Sequence, residues 1–250
     1  MKILLSPSMT MSNKENKKLN KTLPIFHKKT NEIIRYLRSF TIDNLQNQLM
    51  LKANLTNKVF DMYKNFDSMN IKEVQALAAY KGLVYKNINI SDFDEKEIKL
   101  ASENIRILSA LYGVLKPTDL IHEYRLDFKS PFSKNGIYEK NLYKFWDTDI
   151  YNEIFKNNEI VINLCSNEYE KLILPYLKSN DKFITCKFLI NNNGNLKSQA
   201  MFSKIARGQM VRFIIKNNIN KIENIKEFSF DNFKFSQKHS NNNTIVFIRN

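Results

Sequence analysis

The sequence is poor in the residues that mark metal sites, disulfides and phosphate-binding loops. It has two cysteines, three histidines and five glycines in 250 residues. The histidines (His27, His122 and His239) lie far apart, and no spacing typical of a zinc site occurs. No GxGxxG, Walker or GxSxG motif is present. These absences give no support to metal, redox or nucleotide-hydrolysing chemistry, and we predict no metal and no cofactor.

Long apolar runs are also missing. The run Ile3–Leu5 ends at Ser6-Pro7, well short of the roughly 7–15 apolar residues of a signal peptide. No segment approaches the roughly 18 apolar residues of a membrane span. Cys165 and Cys186 lie in apolar surroundings without CxxC spacing, so we predict reduced core residues rather than a disulfide. These features predict a cytoplasmic protein with no membrane partner.

Acidic residues are too few to balance the basic ones. Lys and Arg total 39, Asp and Glu total 25, and the formal net charge is +14. Such a balance indicates a polyanionic partner, because cations that neutralise phosphates release counterions. The excess of Lys, Asn and Ile is equally what AT-rich codon usage produces, so charge alone leaves both explanations open. The seven arginines are more informative, since an arginine kept in a lysine-rich chain is one whose planar fork is required.

The apolar pattern predicts one α/β domain over residues 1–250, with a mixed sheet and flanking helices. Hydrophobic residues make up 43% of the chain and no Pro/Gly/Ser-rich linker divides it. Strands are predicted at 3–5, 159–164, 182–189 and 244–248. Ser6 and Ser166 lie in the polar loops that follow the first two of these strands. Because the carboxyl ends of strands build the ligand crevice in α/β sheets, these serines are candidate site residues.

The stretch from Ile105 to Leu120 is predicted as a helix, a tight turn at Gly113 and a short helix beginning near Pro117. This outline is that of a helix-hairpin-helix, in which backbone N–H groups of the turn bind a phosphate without reading sequence. The alternative is a plain helix end between two packed helices. An extended segment bearing Arg125 follows.

Four further positions each carry two interpretations. A strand is predicted to break at Lys81-Gly82, leaving Lys81 either on the surface or aimed into a cleft. A helix over 138–155 carries Trp146 as a core anchor or a cleft wall. Glu168 is an acid/base or a carboxylate favoured at a helix start. Ser203 is predicted to cap a helix over 204–215. Arg207 and Arg212 lie about 140° apart around this helix. Either the two arginines make different contacts, or both are solvated.

Several of these segments together resemble the bacterial peroxide-stress protein YaaA family. The resemblance runs in order along most of the chain, through Ser6-Pro7, Lys81-Gly82, Leu108–Pro117, Tyr124–Leu126, Phe145-Trp146, Ile162–Leu164 with Ser166, Glu168 and Tyr169, and Ala206–Gly208 with Arg212-Phe213. It implies a single-domain α/β protein with a positively charged cleft, a helix-hairpin-helix element, DNA binding and a role in limiting oxidative damage. Lys129 and Leu83 depart from the family, which often has glycine and aspartate there.

Three functions follow as hypotheses. The first is a DNA-binding protein of the peroxide response, contacting duplex or branched DNA through Lys81, Tyr112, Gly113, Lys116, Arg125, Arg207 and Arg212. The second is an enzyme acting on a nucleotide or nucleobase in the same cleft, with Ser6, Lys81, Ser166, Glu168 and Tyr169 as catalytic candidates. The third is an interaction protein whose charge reflects codon usage, which a uniformly scattered basic surface would support.

Overall fold

A computed structural model of the chain describes residues 1–66, 72–135 and 141–250. Within these residues the chain forms ten strands and twelve α-helices. The strands are β1 (Lys2–Leu5), β2 (Val74–Gln75), β3 (Ile105–Ser109), β4 (Gly113–Leu115), β5 (Leu120–Ile121), β6 (Val161–Asn163), β7 (Phe183–Asn192), β8 (Asn195–Lys197), β9 (Phe233–Phe235) and β10 (Thr244–Arg249). The helices are α1 (His27–Arg38), α2 (Ile42–Leu49), α3 (Ala53–Lys64), α4 (Ala76–Ala79), α5 (Leu83–Ile88), α6 (Glu95–Asn104), α7 (Pro131–Asn135), α8 (Leu142–Trp146), α9 (Asp149–Phe155), α10 (Asn167–Glu170), α11 (Ala200–Lys216) and α12 (Ile222–Ile225).

The described residues build one mixed sheet of eight strands around β1. The strand order is β4-β3-β1-β6-β7-β10-β9, and β8 pairs with β7. Strands β3, β1, β6, β7 and β10 are parallel, while β4 and β9 run antiparallel at the two edges. Ile3 pairs with Ile105 on one side and Ile162 on the other. The parallel strands are continuous apolar runs in the sequence because both of their faces are buried. The predicted α/β class with a mixed sheet is confirmed.

The order in which strands are added to the sheet reverses at β1. From β1 the chain proceeds to β3 on one side, and it later returns to place β6 on the other side. In open α/β sheets such a switch point leaves a crevice outside the carboxyl ends of the two strands. Ser6 follows β1 and Ser166 follows β6 by three residues, so the topology brings both predicted loops to one edge.

The helix-hairpin-helix prediction is wrong at the level of secondary structure. Helix α6 ends at Asn104, and residues 105–115 form an antiparallel β-hairpin in which Ser109 pairs with Gly113. Pro117 begins no helix; the chain turns there and continues into β5. A short apolar run fits a buried strand or a buried helix equally well, and the pairing with β1 decides for the strand.

Two other local predictions are corrected. The predicted strand around Lys81 is helical on both sides, as α4 and α5. The helix predicted over 138–155 is two helices, α8 and α9, separated by Asp147 with φ of 45°; positions 138–140 lie outside the described residues. Trp146 is fully buried and its Nε1–H donates to the carbonyl of Ala110 at 3.0 Å. It is therefore a core anchor.

Helix α11 begins earlier than predicted, at Ala200, so Ser203 lies inside it instead of capping it. The helix packs closely against α5. A Cβ at Gly208 would lie 2.3 Å from the carbonyl oxygen of Val84, so only glycine allows this approach. The contact holds the first half of α11 beside the carboxyl edge of the sheet. The part of the chain that the structure describes contains no helix with the length and hydropathy of a membrane span.

Candidate functional site

A cleft of about 510 Å³ lies at the carboxyl edge of the sheet, where β1 and β6 end. Its size is within the range of about 300–1,000 Å³ typical of small-molecule sites. Residues of four segments line it: the loop after β1, the start of α5, the loop after β6, and α11. The extended segment that carries Asp127 and Lys129 forms the remaining wall.

The two strand-end serines meet in this cleft. The hydroxyl oxygens of Ser6 and Ser166 are 3.3 Å apart, and the backbone N–H of Ser166 donates to Ser6 Oγ at 2.9 Å. The hydroxyl of Tyr85 donates to the carbonyl of Ser6 at 2.8 Å, which holds the loop after β1 against α5. Both serines are half-buried. The prediction that the two loops come together is confirmed.

Glu168 lies in the one-turn helix α10 and connects two walls of the cleft. One carboxylate oxygen accepts the backbone N–H of Phe128 at 3.0 Å, and the other lies 3.6 Å from Lys129 Nζ. The Glu168 carbonyl accepts the hydroxyl of Tyr143 at 2.9 Å. Tyr169 packs edge-on to the ring of Phe128, with centroids 5.4 Å apart. Burial raises the pKa of Tyr169 well above its ordinary value, so it is a neutral phenol in this wall.

Four cationic side chains line the cleft, against the carboxylates of Asp127 and Glu168. They are Lys81, Lys129, Lys204 and Arg207. Lys81, Lys129 and Lys204 are exposed, whereas Arg207 is half-buried. Burial lowers the pKa of the Arg207 guanidinium from its ordinary value, and the nearby carboxylate of Glu170 partly opposes this. Among the described residues, the buried Nε of Arg207 has no hydrogen-bond partner.

The two cysteines flank this arginine as free, buried thiols. Burial raises the pKa of Cys165 above its ordinary value and that of Cys186 to about 12, and the positive charge of Arg207 only partly offsets the effect. A thiol in this state is a poor nucleophile, because the thiolate is the reactive form. The prediction of reduced core cysteines is confirmed.

The turn at Tyr112-Gly113 lies in the core and away from the cleft lining. The N–H groups of Leu111 and Tyr112 donate to Ser109 Oγ, at 3.2 and 3.0 Å. Gly113 has φ of +71°, and a Cβ there would lie 2.8 Å from Trp146 and 2.9 Å from Phe26. The glycine is therefore needed for its backbone conformation and for packing. The turn amides are used internally, so they do not form the open phosphate site that the sequence suggested.

Three other predicted residues lie outside the cleft lining. Lys116 is exposed and Arg125 is half-buried. Arg212 forms two hydrogen bonds of 2.7 Å with the carboxylate of Asp92. These bonds hold the pKa of Asp92 below its usual value. The prediction that Arg207 and Arg212 serve different contacts is confirmed, because one lines the cleft and the other fastens α11 to the segment before α6.

The structure therefore unites six of the predicted residues, namely Ser6, Lys81, Ser166, Glu168, Tyr169 and Arg207. Sequence reasoning missed Lys129, Lys204 and Asp127. Lys204 could have been found, since it precedes Arg207 by three residues and so lies on the same helix face. Lys129 could have been found because it stands where the family often has glycine. No group of three or more His, Cys, Asp and Glu side chains that could hold a metal occurs in residues 1–66, 72–135 and 141–250.

Comparison with known proteins identifies relatives along the whole chain. Residues 1–239 match a family model described as peroxide stress protein YaaA. The chain is 38% identical over 250 residues to a UPF0246 protein of Clostridioides difficile (strain 630), covering 99% of each chain. It is 39% identical over 248 residues to a UPF0246 protein of Limosilactobacillus reuteri (strain DSM 20016), covering 99% of this chain and 98% of that one.

Proposed function

The chain belongs to the peroxide stress protein YaaA family, and from this membership together with the lining of the cleft we propose that it is a cytoplasmic DNA-binding protein of the peroxide response. The phosphate backbone would lie along the cleft at the carboxyl edge of the sheet. The observation that carries the proposal is the collection of four cations, from three separate segments, around one cavity.

Phosphodiester binding suits these side chains for two reasons. Lysine cations gain free energy by releasing counterions from DNA, whatever the base sequence. Arg207 lines the cleft with a planar guanidinium, a donor group that binds phosphate oxygens well. Lys129 is only loosely paired with Glu168, at 3.6 Å and on an exposed side chain, so it stays available to an anion.

The proposed contact set is smaller than the sequence suggested, and it includes different residues. Lys81 and Arg207 remain, and Lys129 and Lys204 join them. Tyr112 and Gly113 are left out because they are buried, and Arg212 because Asp92 already neutralises it. Lys116 and Arg125 stay predictions for DNA that extends beyond the cleft.

A salt series on one matched pair of lysines tests the proposal. We expect Lys204→Ala to weaken binding to a duplex and to reduce the slope of log affinity against log salt by about one unit. The control is Lys234→Ala, an exposed lysine on the edge strand β9, which should leave the slope unchanged. Fluorescence anisotropy with a labelled duplex measures both quantities. Equal slopes in the wild type and in both variants would contradict binding through the cleft.

A second candidate function is an enzyme acting on a nucleotide or nucleobase. The observation that favours it is the contact of Ser6 and Ser166 in the same cavity as Glu168, because positioning a phosphate does not require this polar set. If Glu168 moves a proton, Glu168→Gln should reduce turnover of a nucleoside substrate by about a hundredfold or more, while exposed Glu227→Gln should not. Loss of turnover with DNA affinity retained favours the enzyme, whereas retained turnover leaves Glu168 as a brace between two walls.

A further inference from the structure

An open hollow of about 360 Å³ lies next to the cleft and is lined by lysines. The loop of residues 12–21 contributes Lys14, Lys17 and Lys18 to its lining. We refer to these three side chains as the loop lysines. Lys81 lines both the hollow and the cleft, so the loop lysines and the cations of the cleft are neighbours across this one side chain.

Little negative charge offsets the hollow. Glu15 supplies the carboxylate of its lining, and this carboxylate lies 3.1 Å from Lys21 Nζ and 4.0 Å from Lys72 Nζ. Glu15 is therefore occupied by lysines that do not line the hollow. Lys14, Lys17 and Lys81 are exposed, and none of them forms an ion pair with any residue that the structure describes.

The loop contains no helix or strand, but its backbone is held in place. Gln75 in β2 is buried, and its Oε1 accepts the N–H of Asn16 at 3.3 Å. Gln75 Nε2 donates to the carbonyls of Asn16 and Leu19 at 3.1 and 3.0 Å. The side chain of Leu19 is buried in the core, and the N–H of Ser12 donates to the carbonyl of Ala79 at 2.9 Å. Cations on a fixed backbone lose less entropy when they bind a ligand than cations on a mobile one.

The three loop lysines differ in what they can contact. Lys18 Nζ donates to the carbonyl of Phe93 at 2.8 Å, so this lysine fastens the loop to the segment before α6. Lys14 and Lys17 have no such bond and remain available to an anion. Together with Lys81 they form a row of unpaired cations that begins in the cleft and ends on the loop.

We infer that Lys14 and Lys17 bind the phosphate backbone of DNA where it leaves the cleft, so that one duplex contacts both the cleft and the loop. Exposed lysines without carboxylate partners gain free energy when they release counterions from DNA. Contacts to phosphate position a protein on DNA but carry no sequence information. The loop therefore adds affinity without adding a preference for any base sequence. This inference rests on the proposed binding of DNA in the cleft.

A pair of double variants with matched charge tests the inference. We expect Lys14→Ala/Lys17→Ala to reduce the slope of log affinity against log salt by about two units, because each phosphate contact contributes about 0.9. The control is Lys234→Ala/Lys238→Ala, which removes the same charge from exposed lysines in and after β9, at the far edge of the sheet. Its slope should equal that of the wild type. Equal slopes in the two double variants would overturn the inference.

Lys204→Ala, which reports on the cleft, distinguishes failure of this inference from failure of the proposed function. A reduced slope in Lys204→Ala and an unchanged slope in the loop variant would support the cleft and overturn the contribution of the loop. A reduced slope in the loop variant alone would overturn the cleft and the continuous path together. No binding of duplex DNA by the wild type would overturn both proposals. If one duplex contacts both surfaces, the triple variant should lose about three units, and the wild type should saturate at one duplex per chain.

The reactivity of the lysines provides a test that needs no substitution. An amine-acetylating reagent is applied to the free protein and to its complex with duplex DNA, and mass spectrometry measures the modification of each lysine. We expect DNA to protect Lys14, Lys17 and Lys81 and to leave Lys234 unprotected. Protection of Lys81 without protection of Lys14 and Lys17 would place the DNA in the cleft alone and overturn the inference.

Discussion

Arg207 and Arg212 lie on one helix and have opposite surroundings. Arg207 lines the cleft, and burial lowers the pKa of its guanidinium. Arg212 lies at the helix surface, where it donates two hydrogen bonds to the Asp92 carboxylate, and these bonds raise its pKa. The first arginine is available to a ligand anion, whereas the second already has a carboxylate.

This difference predicts opposite effects of two alanine substitutions. Arg207→Ala should weaken duplex binding about tenfold, because a charged donor to phosphate is lost. Arg212→Ala should leave the affinity near that of the wild type and lower the free energy of unfolding by up to about 1 kcal/mol, since the ion pair is partly exposed. Anisotropy and urea unfolding measure the two effects. An equal loss of affinity in both variants would show that Arg212 also contacts DNA.

Arg207→Lys separates charge from shape. It keeps the positive charge but loses the planar fork, so its affinity should lie between those of the wild type and Arg207→Ala. Urea unfolding of each variant checks that the half-buried position still folds.

At the scale of elements, the contact of α5 with α11 positions the cleft. Helix α5 carries the Tyr85 hydroxyl that holds the Ser6 loop, and α11 carries Lys204 and Arg207. The two helices approach so closely at Gly208 that the position has no room for a side chain. The cleft therefore depends on one glycine that lies outside its lining.

Gly208→Ala should destabilise the protein by about 1–3 kcal/mol, the usual cost of overpacking. The added Cβ would lie 2.3 Å from the Val84 carbonyl oxygen and 2.7 Å from Asn87 Cβ, so one helix must shift. Urea unfolding measures the change. The control is Met201→Ala in the first turn of α11, which is 53% exposed and should change stability by less than about 0.5 kcal/mol. Since alanine is the better helix former, stabilisation of Gly208→Ala would disprove the close approach.

The hairpin of β3 and β4 is the element that local pattern misjudged. Ile98, Ile105, Leu108 and Leu111 follow helical spacing, but α6 supplies only the first of them. The rest of the run is fixed by its pairing with β1, more than a hundred residues away in sequence. Propensity does not contain that information, because the same apolar residues satisfy either structure until a partner strand is present.

At the scale of the whole molecule, the cysteines bear on the peroxide response. Both thiols are buried and free, and burial raises the pKa of each. Peroxide and alkylating reagents react with thiolates, so a raised pKa protects the thiol. Sensing of peroxide through these two cysteines would require exposed thiols with a lowered pKa. Both thiols are instead buried and have a raised pKa.

We therefore expect both cysteines of the folded protein to react with hydrogen peroxide or iodoacetamide at least about a hundredfold more slowly than in the denatured chain. Between pH 7 and 9 the native rate should stay low, because the folded-state pKa of each thiol lies above this window. Mass spectrometry after timed quenching measures each site. Rapid native oxidation of Cys165 or Cys186 would mean that the core opens readily or that the thiol is activated.

Much of the architecture could be read from local pattern. Apolar runs identified β1, β6, β7 and β10. Helix α6 begins with a capping box between Asp94 and Glu97, which is a local feature of the sequence. The two serines at strand ends were found because a parallel sheet brings such loops to one edge. These features depend on residues close in sequence or on a rule of topology, so a single chain was sufficient to find them.

The remaining features required the folded chain. The net charge of +14 does not identify which cations lie together. Lys204 reaches the cleft of Lys81 because α11 packs on α5, and Lys129 reaches it through the path of the segment after β5. The pairing of Arg212 with Asp92 and the burial of the Gly113 turn were equally invisible, because they join residues far apart in sequence. Local sequence selects helices, strands and turns through short-range sterics and hydrogen bonds. The functional surface depends on long-range packing, which decides which charges are neutralised and which are left for a ligand.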